Sequence, residues 1–111
     1  MPRFRDMEQF HREPKPALPG EDLVAEGLRD LQQSKLTEGA LLVLIAAPRL
    51  RALGLTVPDQ SLSQSFEHEL YERLEARLGD GAHSYYNSLI RRIVSFVRMR
   101  EAELTRRSGP G

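Results

Sequence analysis

The run Ala40-Leu-Leu-Val-Leu-Ile-Ala-Ala47 constrains this chain more than any other stretch. Eight consecutive apolar residues leave no polar face at the helical period, so the segment has to be surrounded by protein. A membrane span needs about 20 such residues, which makes this run a buried central helix. Thr37 is a good N-cap for it. Pro48 is expected to kink or restart the helix, and Gly54 to cap the turn that follows.

Three further segments carry helical periodicity. Leu23, Val24, Leu28 and Leu31 form an apolar stripe over residues 21–34. Gly27 lies inside that stripe and weakens the helix by about 1 kcal/mol unless a close neighbour needs the space. Leu62, Phe66, Leu70, Leu74 and Leu78 recur every four residues over 61–78, where Ser61 and Gln64 suggest a capping box. The longest segment, 81–106, puts Tyr86, Leu89, Ile90, Ile93, Val94 and Val97 on one stripe, with Tyr85 and Phe96 on its shoulder. Its last turns are poor in apolar residues and are expected to overhang the core. Leu55-Thr-Val57 is the sole strand-like piece and is too short to found a sheet. The expectation is an all-α, four-helix bundle-like domain over residues 21–107 with a long C-terminal helix.

Outside that domain, Pro2, Pro14, Pro16, Pro19 and Gly20 mark residues 1–20 as a flexible tail. Within it, residues 3–12 place Phe4, Met7 and Phe10 at helical spacing. Residues 108–111 are expected to be disordered. The 111 residues suffice for one domain, and 40% hydrophobic with 29% charged residues fits a globular chain. The absence of cysteine excludes disulfides, thiolate metal sites and cysteine nucleophiles. No apolar run follows the N-terminus, so no secretory leader, no membrane association and a cytoplasmic location are expected.

The formal charge is zero but unevenly spread. Residues 66–80 hold Glu67, Glu69, Glu72, Glu75 and Asp80 against Arg73 and Arg77. Residues 84–107 hold six arginines against Glu101 and Glu103. The acidic third helix is the expected partner of the basic fourth, within one molecule or between two.

Few constellations suggest chemistry. His68 lies among Glu67, Glu69 and Glu72, but the Glu-x-x-His order of bundle carboxylate sites is missing, and a solvated acidic face is the expectation. No metal and no cofactor are expected. His83-Ser-Tyr-Tyr-Asn-Ser88 is an unusually polar and aromatic helix opening, suited to a buried polar network, a ligand pocket or a subunit seam. Arg91 and Arg98, seven residues apart, share an exposed face from which they would reach backbone phosphates.

The segment Arg77-Leu-Gly-Asp-Gly-Ala-His83, an arginine and a histidine flanking the entry of a last helix, resembles the motif of HEPN-domain ribonucleases. Leu78 departs from the polar residue that usually follows the arginine there. The resemblance implies cleavage of an RNA phosphodiester, with His83 moving a proton and Arg77 stabilising the phosphorane.

The reading favoured by the whole chain is a protein-binding or oligomerisation module. Tyr85, Tyr86, Phe96, Arg92 and Met99 are the expected contacts, and a homo-oligomer or another protein the expected partner. An RNA-cleaving or RNA-binding domain using Arg77 and His83, and a non-catalytic DNA-binding regulator using Arg91 and Arg98, are the alternatives.

Overall fold

A computed structural model describes residues 18–107. The chain forms α1 (Glu21–Gln32), α2 (Glu38–Ile45), α3 (Ala47–Ala52), α4 (Phe66–Leu78), a 3-10 turn at Gly79–Gly81 and α5 (Ala82–Arg107). There is no strand among the described residues, so the fold is all-α. The flexible tail expected up to residue 17, with its helically spaced Phe4, Met7 and Phe10, and the disorder expected at 108–111 lie outside the described residues.

The apolar run sits at the centre, as its pattern requires. Leu41, Leu42, Val43 and Leu44 are buried on all sides, with α2 packed between α1, α4 and α5. Each such side chain contributes about 1.5–3 kcal/mol on burial. Leu50, Leu70, Leu74, Leu89, Ile93 and Val97 complete the core. The core takes up most of the run, and only Ile45 and Ala46 of it stay partly exposed.

Chain ends and turns follow from identifiable residues. Thr37 caps α2 by accepting from the Ala40 amide at 3.1 Å, and its hydroxyl donates to Asp30 at 2.7 Å. Ala46 separates α2 from α3, and Pro48 falls in the first turn of α3, where a missing amide proton costs nothing. Gly54, at φ +95°, closes α3 with paired bonds from its own amide to Arg51 and from Leu55 to Leu50. Ser34 closes α1 with the same pair of bonds, to Leu31 and from Lys35 to Asp30, but holds φ +60° with a side chain attached.

The α1–α2 crossing explains Gly27. A Cβ there would collide with the Gly39 carbonyl and with Val43, so the missing side chain lets the two helices close up. Gly20 plays a similar part at φ +76°, where its backbone lies against the Arg92 carbonyl and Phe96. Leu18 packs on the core and its amide bonds to Glu21. Residues 18–20, expected in the tail, therefore belong to the folded domain.

One boundary moves: the helix expected over 61–78, α4, starts at Phe66, because Ser65 supplies the cap by accepting from the His68 amide at 3.1 Å. Gln64 turns instead towards Glu69 and Glu72. Asp80 lies inside the 3-10 turn that leads directly into α5. Beyond Val97 no described side chain of α5 is fully buried, and Arg49 of α3 braces this stretch through Glu101 at 3.2 Å.

Candidate functional site

The α4–α5 hairpin carries every residue that sequence reasoning singled out, and it separates them into three places. The first is a groove of about 430 Å³ between the two helices. Its floor is Tyr71 of α4 and Tyr86 of α5, edge to face with ring centroids 5.4 Å apart. His83 meets Tyr71 at 6.4 Å, also edge-on, and lies 3.2 Å from the Asn87 amide nitrogen. His68, Ser65 and Glu67 line the α4 side. His68 is held to Glu72 at 3.1 Å, while Glu67 has no ion-pair partner among the described residues. Burial, and then the Glu67 carboxylate, push the Tyr86 hydroxyl above its ordinary pKa. The polar-aromatic opening of α5 thus lines a groove.

A repeated spacing underlies this groove. His68-Glu-Leu-Tyr71 and His83-Ser-Tyr-Tyr86 each place a histidine and a tyrosine three residues apart, on one face of their helix. Tyr71 was not singled out from the sequence as a binding residue, although this double His-x-x-Tyr pattern marks it; the pattern does not reach Glu67.

The second place is the end of α4. Arg77 makes a two-pronged ion pair with Glu38 of α2, at 2.8 and 2.9 Å, which raises its pKa further. Its guanidinium also lies 5.6 Å from the Tyr85 ring centroid. Arg73 is similarly committed, to Glu69 at 2.8 Å and to the Leu36 carbonyl. These bonds fasten the α1–α2 loop to α4. No hydrogen bond or ion pair joins Arg77 to His83, so the two residues of the ribonuclease-like motif face different surroundings.

The third place is the outward side of α5. Tyr85 and Met99, 39% and 44% exposed, are the exposed large apolar side chains among the described residues. Arg92 lies between them at sevenfold spacing and approaches Asp22 only at 4.0 Å. Arg91 and Arg98 are exposed and have no partner among the described residues. Phe96 is 5% exposed and belongs to the core, so it is no surface contact. Gly20 packs against it, a contact that α5 taken alone does not reveal.

The acidic face of α4 does not pair with the arginines of α5 within the molecule. Among the described residues, the acids of α4 that are bonded engage Arg73, Gln64 and His68 of their own neighbourhood. Glu67, Glu75 and, on α1, Glu26 are exposed and have no ion-pair partner among the described residues. No group of three or more acidic or histidine side chains among the described residues is arranged to hold a metal ion. No described helix is long and apolar enough to cross a membrane. The sequence matches no protein-family model, no curated protein and no solved structure.

Proposed function

We propose that this domain is a protein-binding module that associates with a second copy of itself through the outward side of α5. The observation that carries this reading is the placement of both exposed large apolar side chains among the described residues, Tyr85 and Met99, on one stripe of one helix. Ser88, Ser95 and Ala102 alternate with Tyr85, Arg92 and Met99 at three- and four-residue steps. A second helix packs against such a repeat at about 20°. Charge supports a second copy as the occupant. Among the described residues Arg91 and Arg98 have no partner, and neither do Glu26 and Glu75. Two copies related by a twofold axis would satisfy both sets reciprocally.

The test is light scattering coupled to size exclusion across a hundredfold concentration range, with absorbance followed at 260 and 280 nm. A dimer that dissociates in Met99→Glu, with the circular dichroism unchanged, supports the reading. A monomer at every concentration overturns self-association. Nucleic acid that co-purifies, is released by salt and is lost in Arg91→Glu/Arg98→Glu would replace it with nucleic-acid recognition. RNA cleavage that His83→Ala abolishes without unfolding would replace it with phosphodiester chemistry.

A further inference from the structure

The α4–α5 groove lies apart from the α5 stripe and has a chemistry of its own. Its floor is aromatic, from Tyr71 and Tyr86. An edge-to-face contact uses a face of one ring and only the edge of the other, so that contact leaves a π face uncovered. Among the described residues no arginine or lysine lines the groove. Its formally charged lining residue, histidines apart, is Glu67, exposed and without an ion-pair partner. Arg51, which shares a neighbouring hollow with Glu67, is occupied by the Val57 carbonyl and Asp59, and Arg73 of α4 by Glu69 and the Leu36 carbonyl. Asn87 and Ser65 at the rim offer a side-chain carbonyl and a hydroxyl, both able to accept hydrogen bonds.

We infer that this groove is a binding site for an arginine side chain of a partner polypeptide, held over the tyrosine floor with its guanidinium on Glu67. A planar cation stacks on an aromatic face while its N–H groups bond a carboxylate in the plane of the guanidinium, and the groove supplies both elements. An anion finds no permanently charged cation among the lining residues. A neutral apolar side chain would leave Glu67 unpaired and gain nothing from it. Electrostatic complementarity therefore selects the cation, and the planar floor selects arginine over lysine. This inference does not depend on self-association, since the lining residues differ from Tyr85, Arg92 and Met99.

The test is NMR titration of the full chain with the blocked tripeptide N-acetyl-Gly-Arg-Gly-amide, following backbone amides and the aromatic side-chain resonances. The citrulline analogue, isosteric but uncharged, serves as control. The expected result is saturable shifts centred on Tyr71, His83, Tyr86 and Asn87. Glu67→Gln should weaken binding at least fivefold, and Glu75→Gln, on the same helix but outside the groove, less than twofold. Both substitutions are at exposed positions, so loss of folding does not confuse the result. Displacement of a dimer by the peptide would also support the site, with an arginine of the second copy as its natural occupant. Equal binding of the citrulline peptide would overturn the inference. So would equal losses in Glu67→Gln and Glu75→Gln, which denote diffuse attraction to an acidic helix. Failure to observe saturable shifts at any peptide concentration would overturn it as well, and would leave the dimer test on α5 untouched.

Discussion

Gly27 and Gly39 face one another across the α1–α2 crossing, yet a methyl group added at each should act with opposite sign. In a helix interior, glycine to alanine ordinarily gains about 1 kcal/mol. At Gly27 that gain meets a collision with the Gly39 carbonyl and with Val43, a buried β-branched residue with little rotamer freedom. Neither obstacle is the flexible end of a side chain, so the helices must move apart. Overpacking of this kind costs about 1–3 kcal/mol and sometimes more. Backbone against backbone lies at the upper end of that range, which leaves a net loss of about 1–2 kcal/mol for Gly27→Ala after the propensity gain. For a domain of this size, that is a fall in Tm of roughly 5–15 °C. At Gly39 the nearest atoms to an added Cβ are the Gly27 Cα at 3.7 Å and its nitrogen at 3.8 Å, ordinary contact distances. Gly39→Ala should therefore be neutral or stabilising by up to about 1 kcal/mol. Urea unfolding followed by circular dichroism measures both, and an unchanged m-value establishes that the native state is being compared. Gly27→Ala as stable as the parent, or Gly39→Ala as damaging as Gly27→Ala, would refute the assignment of this crossing as the closest approach of the two helices.

Three further outcomes follow from local geometry. Ser34→Gly should stabilise the domain by about 0.5–1 kcal/mol, since it relieves a side chain held in the left-handed region; a thermal melt that fails to rise counts against the α1 cap. Thr37→Ala should cost about 1–2 kcal/mol in urea unfolding, because it removes both the α2 cap and the bond to Asp30, while Thr37→Ser should recover most of the loss. The Glu69 carboxyl is held below its ordinary pKa, first by the Gln64 amide and then by Arg73, so its contribution is fully present above the ordinary carboxylate range and is lost as pH falls through the lowered folded value. Glu69→Gln should accordingly flatten the acid limb of the stability profile without changing its alkaline limb, and identical acid limbs in the two proteins would remove Glu69 from the account.

The parts of the fold legible from sequence were those decided by one segment alone. The run 40–47 is buried because no orientation offers water a polar face. Thr37 and Gly54 act as caps because the chemistry of a helix end involves only residues within a turn of it. What failed had two local solutions or depended on distant partners. Ser61 and Ser65 are both acceptable caps in isolation, and the choice falls to Ser65 with Gln64 engaged by Glu69 and Glu72. Phe96 shares the phase of a surface shoulder until Gly20 packs against it. The charge pattern misled for a related reason. Opposite charge on α4 and α5 implies attraction, but an ion pair needs side chains that face each other, and the core side of each helix is already spent on leucine, isoleucine and tyrosine. Arg77 reaches instead across 39 residues of sequence to Glu38, and the acids of α4 turn outward with the arginines of α5. The same constraint created the groove. Two helices that cannot pair through charge meet through Tyr71 and Tyr86, and the unpaired Glu67 is left beside a surface suited to a cation from outside the molecule.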